Sequence, residues 1–234
     1  MLTEPSSESE FPPVPWTSRE AWWGAAAMVL WLLMALAISL AVNLLELDLN
    51  PGLSVTVLEL LLLVPVWWLA VRKPGVGWRD LGLRGFAGRA LGLGCGLMIL
   101  SYFFNLVYSL ILSQFGLQMQ ADLTPMLAEL DSPWLLLFGA VVVAPIVEEI
   151  FFRGFLFAGL RGRYGWQKAA LLSAGFFAVV HLQPTAIAPI FLLGLIFAYL
   201  YERSGSIWPA VLMHVSSNGL ALGATYLLVQ MGGG

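Results

Sequence analysis

Long runs of apolar residues follow one another along most of this chain, separated by short polar connections. The first run covers residues 21–45 and exceeds the roughly 20 residues that a helix needs to cross a bilayer. No run shows the period-two alternation of a barrel strand, and backbone groups in hydrocarbon must be hydrogen-bonded within their own segment. The pattern predicts an all-α, polytopic transmembrane helix bundle, with spans at residues 21–45, 53–71, 90–111, 134–160, 169–182, 186–201 and 207–229.

The number of spans is predicted as seven, or eight if the last run breaks into two helices near Gly219. All of them fall in a transmembrane domain at residues 21–234. Residues 1–20 are polar and acidic and contain several Pro and Ser residues, so they are predicted to form a disordered cytoplasmic tail. This tail does not resemble a signal peptide, because it lacks a basic n-region and precedes an apolar run that is too long.

The composition agrees with a chain that lipid surrounds. Of the 234 residues, 59% are hydrophobic and only 11% are charged, and the mean hydropathy is +0.85. A soluble domain carries roughly 25% charged residues. The single cysteine excludes an internal disulfide and a cysteine-based metal cluster. No basic patch typical of nucleic-acid binding is present, so the bilayer is the expected partner and nucleic acid is not.

Basic residues are distributed unevenly among the connections. Residues 72–89 carry five Lys or Arg against one acid, and three more basic residues, Arg161, Arg163 and Lys168, follow the fourth run. The loops at 46–52 and 112–133 carry only acids among their charged residues: Glu46, Asp48, Asp122, Glu129 and Asp131. Because cytoplasmic loops are rich in Lys and Arg, this asymmetry predicts an integral membrane protein with a cytoplasmic N-terminus.

Glycines recur every fourth residue at the start of the third run, at positions 88, 92 and 96. Residues four apart share one face of a helix, and small residues there let a second helix approach closely. The stripe therefore predicts a helix-packing surface.

Ionisable residues inside predicted spans are few, and each is a candidate for function because it is costly to place in a membrane. Both histidines of the chain are among them. The set is Glu59, Glu148, Glu149, Arg153, His181 and His214.

Helical spacing divides these residues into roles. Glu149 and Arg153 are four apart and share a face, which predicts an ion pair. Glu148 points about 100° away without a cation and is the better candidate for a general base. His214 and Asn218 are also four apart, so an imidazole and a carboxamide can donate hydrogen bonds to one oxyanion.

Three short motifs carry a family resemblance. They are Glu148-Glu149-xxx-Arg153, then Phe177-xxx-His181, then His214-xxx-Asn218. In this order, each inside an apolar helix, they resemble the CAAX protease and bacteriocin-processing (CPBP) family of intramembrane proteases, which includes type II CAAX prenyl endopeptidases. The stretch from Trp78 to Arg84 also resembles bacterial members. The similarity covers roughly residues 78–230, the predicted peptidase core.

The resemblance implies an endopeptidase that cleaves peptide bonds in or next to the membrane. Its substrates would be membrane-associated or lipidated peptides or proteins. Glu148 and His181 would activate water, His214 and Asn218 would stabilise the tetrahedral intermediate, and Glu149 completes the predicted site.

The family is named as metalloproteases, which makes Glu148, His181 and His214 a tentative ligand set for a divalent metal such as zinc. We favour a metal-free scheme, because Glu148 would otherwise have to bind the metal and also act as the base.

Two other classes of function compete with a peptidase. One is a non-catalytic membrane scaffold or bacteriocin-immunity protein, against which the intact set of polar residues argues. The other is a transporter that uses Glu59, Glu148 and Glu149 as a proton relay. Transporters usually show repeated halves with broken helices, and the sequence shows neither.

Overall fold

The computed structural model describes residues 13–120, 123–130 and 132–232, and these ranges contain helices but no strand. Six of the described helices are long and apolar enough to cross a membrane: α1 Ser18–Leu44, α2 Pro51–Val71, α3 Arg89–Ser113, α4 Trp134–Val180, α5 Pro184–Ser204 and α6 Trp208–Met231. Two shorter elements, Trp78–Leu81 and Thr124–Ala128, lie in the connections before and after α3. The prediction of an all-helical membrane protein is confirmed.

The predicted count of seven or eight spans is not confirmed. The segments predicted as spans four and five both lie in α4, which is 47 residues long. Only Gly165 leaves helical geometry there, with φ 76° and ψ 160°, a region that glycine adopts without steric cost. α4 therefore consists of two helices joined by a kink at Gly165, which lies between the two predicted spans. The predicted break near Gly219 is absent, since α6 continues through that position.

The described part of the predicted tail, residues 13–20, includes the start of a helix and a buried side chain. Helix α1 begins at Ser18, where Thr17 and Glu20 form a capping box. The Trp16 side chain is buried, stacks on Phe155 at 5.9 Å between ring centroids and donates its indole N–H to the Phe155 carbonyl oxygen at 3.0 Å. The contact is a tertiary one, because the partner of Trp16 lies 139 residues away. Residues 1–12 of the predicted tail lie outside the described residues.

Helices α4 and α5 form the centre of the bundle. Half of the residues in their most apolar windows are buried, against 11% in α1 and α3. The outer helices instead expose large apolar side chains, among them Leu30 on α1 and Ile99 and Phe103 on α3. Continuous apolar surface of this extent is stable in contact with lipid chains and not with water.

The predicted basic connections lie together at one end of the bundle. Ser206, in the turn between α5 and α6, donates its hydroxyl to the Arg84 carbonyl oxygen at 2.6 Å. At the same end, Arg161 on α4 pairs with Glu202 on α5 at 2.6 Å. Lys73 pairs with Glu20 in the first turn of α1 at 2.7 Å. The predicted grouping of these loops on one side agrees with these contacts. Asp122 and Asp131 of the predicted acidic loop lie outside the described residues.

The glycine stripe on α3 does not pack against another helix within the described part of the chain. A Cβ atom built at Gly88, Gly92 or Gly96 would meet no atom within 4 Å. The face that packs contains Gly94, where a Cβ would lie 3.0 Å from Met213 Cγ on α6. The prediction was wrong because residue spacing shows which side chains share a face of the helix. It does not show whether that face is rotated toward the other helices or away from them.

Candidate active site

The two adjacent glutamates lie in an irregular part of α4. The α-helical segment Ala144–Glu149 is flanked by two π-helical segments, Gly139–Val143 and Ile150–Phe157. A π-helical turn holds more residues than an α-turn, and such segments often occur at functional sites. Both segments change the directions in which neighbouring side chains leave the helix axis.

Glu149 is completely buried and joins α4 to α6. Its Oε1 atom accepts a hydrogen bond from Arg153 Nη1 at 2.8 Å, the contact that the i,i+4 spacing predicts. The same oxygen lies 3.1 Å from His214 Nδ1. A carboxylate beside a guanidinium only accepts hydrogen bonds, so Nδ1 of His214 carries the hydrogen. Glu149 therefore fixes the orientation and the tautomer of the His214 ring.

Arg153 is also completely buried and connects α4 to α5. Its Nη2 atom donates to the Gly194 carbonyl oxygen at 3.1 Å. The guanidinium carbon lies 4.5 Å from the ring centroid of Phe177, which adds a cation–π contact. The close approach depends on glycine at position 194, because a Cβ there would lie 2.9 Å from Ala174 Cβ.

The His214 ring lies between the two glutamates. It stacks on Phe197 at 5.0 Å between centroids. Its Nε2 atom lies 3.7 Å from Glu148 Oε2, a separation longer than a hydrogen bond. One edge of the imidazole is therefore held by Glu149, while the other edge faces Glu148.

His181 follows the last residue of α4. Its Nδ1 atom lies 2.6 Å from the Phe177 carbonyl oxygen. A carbonyl oxygen can only accept, so Nδ1 donates and the Nε2 atom of the neutral ring carries the lone pair. This tautomer leaves His181 with a proton acceptor that its own helix does not occupy.

A cavity of about 200 Å³ brings Glu148 and His181 together. One water molecule takes up roughly 30 Å³ in the liquid, so the cavity has room for several. The cavity also contains a third titratable side chain, Glu59 from α2, for which the sequence indicated no partner. The lining residues are Met28, Trp31, Glu59, Leu62, Glu148, Phe152, Val180 and His181.

Asn218 lies one turn after His214 on α6 and does not line the cavity. Its Nδ2 atom donates to the Ala140 carbonyl oxygen at 2.9 Å. Ala140 belongs to the first π-helical segment of α4. One N–H of the carboxamide is thus committed to the backbone, and the second N–H is the one left for an oxyanion.

The tentative metal ligands are Glu148, His181 and His214. Among the described residues, no group of three or more His, Cys, Asp or Glu side chains is placed to hold a metal ion. Nδ1 of His214 faces Glu149 and Nδ1 of His181 faces its own helix, so the Nε2 atom of each ring is the nitrogen left for a ligand or a substrate.

The motifs lie in a segment with recognisable relatives. Residues 130–220 match the family model of the type II CAAX prenyl endopeptidase Rce1-like proteins. A Bacillus subtilis protein named "Putative membrane peptidase YdiL" is 34% identical over 77 residues, which are 33% of this chain and 32% of that protein. An Escherichia coli protein named "Uncharacterized 24.3 kDa protein" is 35% identical over 86 residues, which are 35% of this chain and 40% of that protein.

The matched segment contains all three motifs, and its similarity to the Rce1-like family model supports the resemblance that the motifs predict. The chain spans only about a third of the length of the curated relatives it matches. No solved structure matches it.

Proposed function

We propose that this chain is an intramembrane endopeptidase that hydrolyses a peptide bond in or next to the bilayer with water activated by Glu148 and His181. The observation that carries the proposal is the shared cavity, which is lined by the carboxylate residue Glu148 of α4 and by His181, which follows α4. Family membership of residues 130–220 supports the same reaction class.

Water activation is divided between the two side chains. The Nε2 lone pair of His181 accepts a hydrogen bond from a water molecule in the cavity and orients it. The Glu148 carboxylate then takes a proton from that water as its oxygen attacks the carbonyl carbon. The Glu148 side chain is 15% exposed and has no Lys or Arg in salt-bridge contact among the described residues, so it is available as the base.

Two residues of α6 stabilise the negative charge that forms on the carbonyl oxygen. His214 presents its Nε2 edge beside Glu148, and in its doubly protonated form it donates from that atom while Nδ1 remains bonded to Glu149. Asn218 contributes its second amide N–H. Glu149 does not contact the substrate in this scheme, and it acts as a positioning residue for His214.

The substrates are membrane-associated or lipidated peptides or proteins. The cavity lies among apolar helices, and most of its lining is hydrocarbon or aromatic. A peptide segment that partitions into the bilayer can reach such a cavity, whereas a charged nucleic acid cannot.

The proposal is tested by comparing the membrane proteomes of cells with the parent chain and the Glu148→Gln variant. An uncleaved membrane protein or peptide is expected to accumulate with Glu148→Gln, because hydrolysis loses its base. The matched control is Glu129→Gln, the same change at an exposed position. Equal processing by parent and Glu148→Gln protein, both folded, would contradict the proposal.

The same variants separate a peptidase from a proton-coupled transporter. A relay through Glu59, Glu148 and Glu149 would lose proton flux in liposomes without leaving an uncleaved substrate. The buried contacts of Glu149 with Arg153 and His214 argue against that relay, since they occupy one of its three carboxylates.

A further inference from the structure

Glu59 lines the same cavity as Glu148 and His181. Its Oε2 atom is buried and has no hydrogen-bond partner among the described residues. The position of Glu59 is therefore that of a second carboxylate at the reaction site.

The structure holds Glu59 in place through α1. The indole N–H of Trp31 donates to the Leu58 carbonyl oxygen at 2.7 Å, one residue before Glu59. Met28 and Trp31 from α1 and Leu62 from α2 complete that side of the cavity. The first two spans thus build one side of the site, although the family match begins only at residue 130.

The surroundings of the two carboxyl groups differ. No Lys or Arg lines the cavity. Glu148 has the His214 ring 3.7 Å away, whereas Glu59 lies among Met28, Trp31 and Leu62. The position beside an imidazole suits the group that accepts a proton from water, and the position among apolar side chains suits the group that donates one.

We propose that Glu59 is the general acid of the peptidase reaction, an inference that rests on the proposed function. As water attacks, Glu148 gains one proton and the new C–O bond forms. As the C–N bond breaks, the amine nitrogen takes the proton of the Glu59 carboxyl group. The proton on Glu148 then returns to Glu59 through water in the cavity, so both carboxylates regain their starting states and one water is consumed per bond.

The test uses two synthetic probes built on the protein that accumulates with Glu148→Gln. One is a peptide that spans its scissile bond. The other is a 4-nitrophenyl ester of the same peptide segment, with the ester at the residue that supplies the scissile carbonyl. Its leaving group, 4-nitrophenolate, departs without needing a proton. With Glu59→Gln, we expect hydrolysis of the peptide to fall about 100-fold or more, while hydrolysis of the ester stays within about threefold of the parent rate.

Two controls separate this role from a structural one and from failure of the proposed function. Glu129→Gln should leave both rates unchanged, and Glu148→Gln should abolish both, since water activation is needed for either probe. If Glu59→Gln lowers the rates of peptide and ester hydrolysis equally, or lowers neither, the general-acid role is overturned. The proposed function would still stand in that case, provided that Glu148→Gln is inactive. Peptide hydrolysis by Glu148→Gln, or no accumulating protein, would overturn the proposed function itself and the general acid with it.

Discussion

At the scale of single residues, the site is organised around the buried carboxylate of Glu149. One oxygen accepts from Arg153 and from His214, so a single group neutralises a buried cation and orients an imidazole. Burying two charges costs several kcal/mol each, and their attraction offsets this only when both partners are present. Removing one partner therefore costs far more than the intact pair contributes.

This asymmetry gives a prediction for Arg153→Met, which keeps most of the side-chain volume but strands the Glu149 charge. We expect the free energy of unfolding in mixed detergent micelles to fall by about 3–5 kcal/mol. The double variant Glu149→Gln/Arg153→Met should recover part of this loss, because a neutral amide oxygen can still accept from His214. An unchanged unfolding transition in Arg153→Met would contradict the buried ion pair.

At the scale of elements, the position of Arg153 depends on how closely α4 and α5 approach each other. The Gly194 backbone supplies a carbonyl oxygen to Arg153, and this approach leaves no room for a side chain. The π-helical segments on α4 act at the same scale. They place the Ala140 carbonyl oxygen toward Asn218.

We predict that Gly194→Val separates α4 from α5 and reduces both thermal stability and peptidase activity. A Cβ at this position would lie 3.0 Å from the Ala174 Cα atom, so backbone must move. Overpacking of this kind typically costs 1–3 kcal/mol. The control is Gly223→Val on α6, where a Cβ meets no atom within 4 Å. Equal unfolding temperatures for both variants would show that the contact at Gly194 is not tight.

At the scale of the whole molecule, the ends of the bundle differ in charge. The connections that carry Arg84, Arg161 and Lys73 lie together, joined by contacts to the turn at residue 206, to Glu202 and to Glu20. Clustering of basic residues at one end is the signal that orients a polytopic protein in the membrane. The charge distribution predicts that this end is cytoplasmic.

Single cysteines in a Cys95→Ser background test this orientation. Residue 163, in the basic region, should react with a membrane-impermeant maleimide only after the membrane is opened. Residue 48, in the acidic loop between α1 and α2, should react in intact cells. Both positions are exposed, so lack of labelling cannot be attributed to burial. Reversed labelling at the two positions would contradict the predicted orientation.

The sequence by itself determined the membrane class and the helical architecture, and it supplied the residues that we propose as the site. Apolar runs longer than a bilayer requires permit no other regular structure, so these predictions needed no tertiary information. The pairing of Glu149 with Arg153 was also predictable without tertiary information, because a four-residue spacing places two side chains on the same face of one helix. The three motifs carried the family resemblance in the same way.

The tertiary structure decided which faces meet and where the cavity lies. Gly94 rather than the glycine stripe packs on α6, and Trp16 belongs to the fold, because helix rotation and distant contacts leave no trace in local spacing. Glu59 is the clearest case, since its cavity is assembled from residues as far apart as Met28 and His181. A buried carboxylate acquires its chemical character from the groups that surround it, and only the packing of α1, α2 and α4 supplies those groups.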